Sequence, residues 1–310
     1  MVNYYSIIGT KFEVLDKPSP GAWIYMVNPS NDEIEEITAL AGIDSEYIRA
    51  PLDEEETGRI ETEEGVTFMI IDSPLANKDE NNVISYTTIP MGFTVTHDYI
   101  ISVCLKDSTV LKDFADNYVK NVNTAFKTRF LLQILLQTAA RYLQYLKQID
   151  KISNYIEKRL YKSTKNKELI QLLDLQKSLV YISTSLKSIE VTLQKIERGR
   201  ILKLYENDEE LLEDVIVEFR QAREMADIYS SILTGTMDAF ASVISNNVNE
   251  IMKFLTSITI LMAIPTCISG FYGMNMVHGM PGDGNFIIPL IISAGIAGIV
   301  AIILIKKKIL

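Results

Sequence analysis

The distribution of hydrophobic and polar positions changes along the chain, and its clearest feature is a pair of long uncharged runs near the C-terminal end. Phe254 to Tyr272 and Phe286 to Ile305 are two runs without a charged residue, 19 and 20 residues long. A helix of about 20 apolar residues crosses a hydrocarbon core of roughly 30 Å. The stretch between them is rich in glycine, which favours a turn. The pattern therefore predicts two membrane-spanning helices joined by a short loop.

The first of these helices also carries a stripe of mainly small and polar residues that recurs every three or four positions, so that its members share one side of a helix. Two apolar residues, Met252 and Leu255, interrupt it. This polar stripe consists of Asn249, Met252, Leu255, Thr256, Thr259, Ala263, Thr266 and Gly270. Hydroxyl and amide groups suit a water-filled path, and Met252 with Leu255 would form a hydrophobic constriction in it. Ordinary helix packing is the alternative interpretation of the stripe.

Upstream, a period of three to four apolar residues predicts long helices from about residue 116 to residue 200, with a polar break at Lys162 to Asn166. A third helix begins near Asn207, with Asn207 or Asp208 as its N-cap, and meets no strong interruption before Pro265. Unbroken, it would be ~100 Å long. A single helix cannot enclose a pore, so a pore along the polar stripe requires several copies of the chain.

Residues 1–115 show the period of strands and predict a mixed α/β domain. The strand-like runs are Tyr4 to Ile8, Trp23 to Val27, Val66 to Ile71, Thr87 to Val95 and Tyr99 to Val103. Between them, Asp32 to Leu40 predicts a helix that is capped near Ser30 and ended by Gly42.

Charge divides the chain in the same way as hydropathy. The net charge is −10, of which the first 250 residues carry −13 and the remainder +3. An acidic domain disfavours nucleic acid as a partner, because phosphates bind lysine and arginine. Lys253 and Lys306 to Lys308 flank the two membrane helices, whereas the loop has no basic residue. The positive-inside rule then predicts cytoplasmic termini and an external loop.

The sequence contains no recognisable catalytic or nucleotide-hydrolysing motif. His97 and His278 are its two histidines, and they fall on opposite sides of the predicted membrane. Neither a Walker A sequence nor an H-E-x-x-H motif is present. We therefore predict a protein that is not an enzyme, and any transport would run down an electrochemical gradient.

The end of the first membrane helix resembles a known family signature. Tyr272, Gly273, Met274 and Asn275, together with the sequence NEIMK at 249–253 and Pro265–Thr266, resemble the CorA family of magnesium transporters. Met280 and Pro281 are similar to the family's loop, and Lys306 to Lys308 to its basic end. The resemblance covers the whole chain in outline and residues 210–310 closely.

This resemblance implies the fold class and the assembly. The chain would have an α+β cytoplasmic domain, long stalk helices and two C-terminal transmembrane helices, in a funnel-shaped homopentamer of the plasma (inner) membrane. The predicted segments are 1–115 (cytoplasmic α/β domain), 116–206 (antiparallel helical pair), 207–253 (stalk), 254–275 (first transmembrane helix), 276–285 (external loop), 286–305 (second transmembrane helix) and 306–310 (basic tail).

The resemblance also implies ion sites. Gly273, Met274 and Asn275 would form the selectivity filter, in which a ring of amides accepts a hydrated Mg²⁺ ion. Asp238 and Asp214 would bind a regulatory Mg²⁺ between subunits and favour a closed state. Asp283 in the loop is a candidate for concentrating cations, one residue later than the family's usual acid. The acids of the N-terminal domain that would complete this regulatory site are not obvious in the sequence, and Asp72 and Asp79 are the candidates.

Mg²⁺ is therefore the expected substrate and regulatory ligand, with Co²⁺ and Ni²⁺ as further substrates. The expected partners are membrane lipid and other copies of the chain. Two alternatives remain open at this point: a zinc-transporting relative of the same fold, and a membrane-tethered sensor or scaffold that conducts nothing.

Overall fold

The computed structural model describes residues 1–8, 11–78, 84–160, 166–199, 201–202, 204–273 and 287–307. Met274, Asn275, Asp283 and Asp79, which the sequence singles out, lie outside these residues. The chain forms two compact units, Met1–Thr236 and Met237–Leu310. The functional division into the seven segments named above stays a prediction.

The first unit is built on a seven-stranded mixed sheet, in which strands β3 and β7 run parallel and the other neighbours antiparallel. Its spatial order is β2-β1-β3-β7-β6-β5-β4. The strands are β1 (Val2–Ile8), β2 (Lys11–Leu15), β3 (Trp23–Val27), β4 (Arg59–Glu63), β5 (Val66–Lys78), β6 (Ile84–Val95) and β7 (Ile100–Cys104). The parallel pair lies at the centre and consists of nearly continuous apolar runs, as expected of strands that are covered on both faces.

Short helices cover one side of this sheet. They are α1 (Asn31–Ala41), α2 (Glu46–Arg49) and a 3₁₀ turn (Ala50–Leu52). A further short helix, α3 (Thr109–Ala115), packs instead on the long helix α4 (Lys127–Leu160), with the Phe114 and Phe130 rings 5.6 Å apart. Helix α1 begins with the predicted cap: Ser30 Oγ accepts from the Glu33 N–H, and Glu33 Oε2 accepts from the Ser30 N–H. Gly42 ends it with a φ of 63°. The apolar face of α1 packs on β3 and β7 through Ile34 and Ile37.

Two long helices, α4 (Lys127–Leu160) and α5 (Asn166–Gly199), contribute the other large part of the core. Phe130 of α4 lies 5.4 Å from the Trp23 ring, centroid to centroid, and the indole N–H of Trp23 donates to Ser102 Oγ. The sequence placed Phe126 inside this helix, but α4 begins one residue after it and the Phe126 ring is exposed. Strands β2 and β4 and helix α3 were not anticipated.

The edge of the sheet at β2 is closed by a side chain. Asn117 has a positive φ of 62°. Its Oδ1 accepts from the Phe12 N–H at 2.6 Å, and its Nδ2 donates to the Phe12 carbonyl at 3.1 Å. One amide side chain thus occupies the place of a neighbouring strand at this residue, which protects an otherwise open edge.

The remaining helices are α6 (Glu206–Tyr272) and α7 (Ile287–Lys306). Both are long and apolar enough to cross a membrane, by length and composition. The predicted unbroken third helix is confirmed: α6 has 67 residues and continues through Pro265. It begins before the predicted cap, and Asp208 instead accepts from the N–H of Tyr205, which immediately precedes the helix.

Candidate ion pathway

The second unit contains the polar stripe, and all eight of its residues are exposed in the single chain. The partly covered residues of α6 lie half a turn away from the stripe, on the other side of the helix. These are Ser257, Ile258, Leu261, Ile264, Ile268 and Tyr272. The stripe is therefore the side of α6 that its own chain leaves open.

Helix α7 has a covered side of its own, with the same spacing of three to four residues. Its less exposed residues include Pro289, Ser293, Ala297, Val300 and Leu304. Since α6 and α7 fall in one compact unit beyond Thr236, we infer that these two sides pack on each other. Small side chains at Ser257 and Ser293, both buried, suit a close approach of two helices.

The threonine hydroxyls of the stripe have a defined orientation. Thr259 Oγ1 donates to the Leu255 carbonyl at 2.8 Å, and Thr266 Oγ1 donates to the Met262 carbonyl at 3.0 Å. Each hydroxyl has a single proton, so the oxygen that remains outward offers only lone pairs. Both positions are thus hydrogen-bond acceptors on the open side of the helix, which would suit the protons of a hydrated cation.

The predicted filter lies at the end of α6. Gly273 follows the last helical residue, and its N–H still donates to the Ser269 carbonyl at 2.9 Å. A Cβ atom at Gly273 would stand 3.2 Å from that same carbonyl oxygen, so a larger residue would crowd the last turn. The other two filter residues and the loop acid Asp283 fall outside the described residues, and their roles stay predictions.

The N-terminal start of the stripe borders a groove along α6. It is lined by Asn246, Asn249, Glu250, Met252, Lys253 and Thr256. Three of these belong to the stripe, whereas Asn246, Glu250 and Lys253 were not assigned to the path. The signal for them was present in the sequence, because they recur at the same three-to-four spacing one position to the side of the stripe.

The two predicted regulatory acids are exposed and lie in different units, Asp214 in the first and Asp238 in the second. Within the part of the chain that the structure describes, neither carboxylate has an ion pair or a side-chain hydrogen bond, and no group of three His, Cys, Asp or Glu side chains could hold a metal ion. A regulatory metal at either acid would therefore need ligands from elsewhere, as an intersubunit site would supply.

Asp72 is placed differently from what a partner acid at a subunit surface requires. Its carboxyl group is largely buried near Ser185 of α5, whose hydroxyl donates to Thr88 Oγ1 at 2.8 Å. Burial raises the pKa of this carboxyl group, and the Ser185 hydroxyl opposes that shift. The Tyr142 hydroxyl of α4 donates to the Asp72 backbone carbonyl at 2.9 Å. The described contacts make Asp72 part of the interior between β5, α4 and α5.

Known proteins share both the sequence and this architecture. The chain is 27% identical over 263 residues to the cobalt/magnesium transport protein CorA of Methanocaldococcus jannaschii, which covers 83% of this chain and 80% of that protein. It is 23% identical to the protein of the same name from Thermotoga maritima, over 54% of this chain and 48% of the other.

The complete structure of the CorA magnesium transporter from Methanocaldococcus jannaschii superposes with a TM-score of 0.81 at 22% identity, covering 99% of this chain and 96% of that one. This likeness confirms the predicted elements: an N-terminal α/β domain, long helices and two C-terminal apolar helices. Residues 21–307 match the family described as CorA-like Mg²⁺ transporter protein. The resemblance seen in the sequence is thus confirmed, and the chain belongs to the CorA-like family of Mg²⁺ transporter proteins.

Proposed function

We propose that this chain is one subunit of a homopentameric channel that passes hydrated Mg²⁺ across the plasma (inner) membrane, down its electrochemical gradient and without catalysis. The observation that carries the proposal is the polar stripe of α6, which is open in the single chain and presents acceptor oxygens at Thr259 and Thr266. Several copies of this side around one axis would enclose a polar path.

The chemistry of the ion explains why neutral groups would suffice. Mg²⁺ prefers an octahedron of oxygen ligands and sheds its water reluctantly. An Asn275 amide ring at the outer mouth would hold the ion through its water molecules, and Asp283 would raise the local cation concentration. Because neutral ligands bind weakly, the ion can leave again. Met252 and Leu255, both more than half exposed, would form the apolar constriction that closes the path by excluding water.

Asp238 and Asp214 would supply the gate. Their carboxylates have no partner within the described part of their own chain, so copies brought together would repel one another. Cytosolic Mg²⁺ bound between subunits would remove this repulsion and favour the closed state, and loss of Mg²⁺ would favour the open one. Such feedback requires only that Mg²⁺ binds the closed state more tightly than the open state.

The same proposal covers the range of transported ions and the orientation of the chain in the membrane. The curated relatives are named cobalt/magnesium transport proteins, which supports Co²⁺ beside Mg²⁺, and Ni²⁺ is expected with them. Lys253 before the apolar run of α6, and Lys306 and Lys307 after that of α7, favour cytoplasmic termini.

The test is Mg²⁺ uptake into liposomes that contain the purified protein, at low and high internal Mg²⁺. The wild type is compared with Asn275→Ala and with Asp238→Asn. Asn154→Ala and Asp16→Asn, at exposed residues of the first unit, are the matched controls. We expect no flux with Asn275→Ala, loss of inhibition by internal Mg²⁺ with Asp238→Asn, and wild-type behaviour of both controls.

Each alternative has its own outcome in this assay. Wild-type flux without inhibition by internal Mg²⁺ would keep the channel and reject the regulatory site. Faster uptake of Zn²⁺ than of Mg²⁺ would identify a zinc-transporting relative. Absence of any divalent flux in a folded oligomer would instead favour a membrane-tethered sensor.

A further inference from the structure

The end of α4 and the start of α5 form a positively charged tip in the first unit, which we call the basic tip (residues 151–160 and 167–170). The sequence from 151 to 170 contains six basic and two acidic residues, whereas the first 250 residues together carry −13. Lys151, Lys158 and Lys167 are exposed. Within the described part of the chain, none of these three lysines has an ion pair. Their charge is therefore free to attract an anionic partner.

A buried ion pair holds the two sides of the basic tip together. Arg159 Nη2 donates to Glu168 Oε1 at 3.0 Å, and the Glu168 side chain is only 3% exposed. The Arg159 guanidinium also lies over the Tyr155 ring, 5.7 Å from its centroid. Ile156 and Leu160 of α4 are buried as well. The basic tip is thus part of the packed helices, and its lysines stand at defined positions.

Two large side chains accompany these lysines. Tyr155 is 60% exposed and Ile170 is 57% exposed. Lys151, Tyr155 and Lys158 are spaced by four and three residues, so they share one side of α4. Tyrosine is enriched at membrane–water interfaces, because its ring is apolar and its hydroxyl group stays hydrated. Exposed lysines beside a tyrosine and an isoleucine are typical of a surface that contacts lipid headgroups.

The direction of α5 places the basic tip at a particular end of the first unit. Ser183 Oγ donates to Asp227 Oδ1 at 2.9 Å, and Gln176 Nε2 donates to Thr234 Oγ1 at 3.1 Å. Residue numbers fall along α5 as those of the partners rise along α6, so the two helices are antiparallel. Beyond the second contact, α5 extends about 14 Å to the basic tip, in the direction in which α6 runs about 30 Å to its uncharged stretch.

We propose that the basic tip binds anionic phospholipid headgroups of the bilayer that holds α6 and α7. This inference rests on the proposed orientation, in which the first unit faces the anionic cytoplasmic leaflet. A straight α6 would leave about 16 Å between the basic tip and the start of the uncharged stretch. A headgroup layer of about 5–7 Å and a Debye length of about 8 Å cover most of this distance. The lysines would then be attracted by anionic lipid and not by neutral lipid.

The test is the tryptophan fluorescence of full-length Tyr155→Trp in lipid nanodiscs that carry a nitroxide quencher on phosphatidylcholine headgroups. The native Trp23 is fully buried and gives a constant background. Nanodiscs of phosphatidylcholine alone are compared with nanodiscs that also contain phosphatidylglycerol, at the same quencher content. We expect stronger quenching of the introduced tryptophan in the anionic nanodiscs, and a decrease of this quenching when salt is added.

Further variants test the charge dependence in the same tryptophan-containing protein. Lys158→Gln combined with Lys167→Gln should lower the ratio of bound to free tip roughly 30-fold, as expected for two lysines near an anionic surface. Lys187→Gln combined with Lys195→Gln removes the same charge at exposed residues further along α5 and should leave the quenching unchanged. Tyr181→Trp alone, at another exposed ring of α5, should be quenched equally in both lipid mixtures.

Several results would overturn the proposal. The first is equal quenching of the introduced tryptophan in neutral and anionic nanodiscs, in protein shown to be folded and oligomeric. The second is quenching that the variant without Lys158 and Lys167 retains. A shifted emission without quenching would show that another copy of the chain, and not lipid, covers the basic tip. The assay measures no flux, and nanodiscs expose both faces of the bilayer. Failure of this proposal is therefore distinguishable from failure of the channel or of its orientation.

Discussion

Replacing Thr266 by valine tests whether the polar stripe touches the passing ion. Valine keeps the branched shape of the side chain and removes one hydroxyl from each subunit. In the structure that hydroxyl donates to the Met262 carbonyl, so its free lone pairs can accept only from a ligand, such as water bound to Mg²⁺. A hydrogen bond to a charged partner contributes about 1.5–3 kcal/mol. Since about 1.4 kcal/mol corresponds to a tenfold change in rate, loss of one such contact in the rate-limiting step should lower Mg²⁺ flux roughly 10- to 100-fold.

The measurement is the initial rate of Mg²⁺ uptake into proteoliposomes, followed with an encapsulated Mg²⁺-sensitive dye. Thr266→Ser keeps the hydroxyl and should retain most of the flux. Ser257→Ala removes a hydroxyl from the covered side of the same helix and should leave the flux close to that of the wild type. Equal oligomer content in all samples, checked by size-exclusion chromatography, makes the rates comparable.

Two outcomes would refute this reasoning. If Thr266→Val conducts like the wild type while Asn275→Ala does not, the channel stands but the threonine hydroxyl does not contact the ion. If Thr266→Ser is as impaired as Thr266→Val, the shape of the side chain matters rather than its hydroxyl group.

Two further predictions concern the first unit. Asn117→Gly keeps the positive φ but removes both hydrogen bonds to Phe12, which should lower the free energy of unfolding by about 1–3 kcal/mol. The Phe12 amide should then exchange faster in a hydrogen-exchange experiment, and an unchanged exchange rate would contradict this prediction. Asp72 has a raised native pKa, so the folded state holds its proton more tightly than the unfolded state. Stability from this group should therefore fall as pH rises from its ordinary pKa through the raised one. Asp72→Asn should flatten that slope in denaturation curves at a series of pH values, and a slope equal to that of the wild type would count against it.

The elements that were predicted correctly from sequence are those whose signals are local. Strand β3 was predicted with the bounds that it has, Trp23–Val27, because its run of large apolar residues follows Gly21 and Ala22 and ends before Asn28 and Pro29. The cap near Ser30 and the glycine end of α1 were also predicted, and both depend on neighbouring residues alone. The polar stripe was found because a helical period places distant positions on one side.

The elements that were missed depend on contacts distant in sequence. Strand β4 is acid-rich and looks like a solvated surface, but pairing with β5 holds it in the sheet. Leu173 and Val243 follow the apolar period and are nevertheless exposed, because periodicity alone does not say which apolar positions the rest of the chain will cover. Nothing near Asp72 in sequence indicates its burial, since Ser185 and Tyr142 come from helices far along the chain.

Pro265 gives α6 a mechanical property that its length alone does not suggest. Proline has no N–H, so the Leu261 carbonyl, one turn earlier, receives no hydrogen bond from within the helix. The backbone can bend at this level without breaking any bond, whereas elsewhere in α6 a bend would break one. The last two turns or so, with Thr266, Gly270 and Gly273, can therefore tilt as a short rigid segment about the level of Pro265. In the proposed channel, widening the end of the path near Gly273 would then require a tilt of this segment only, while the rest of the helix stays straight.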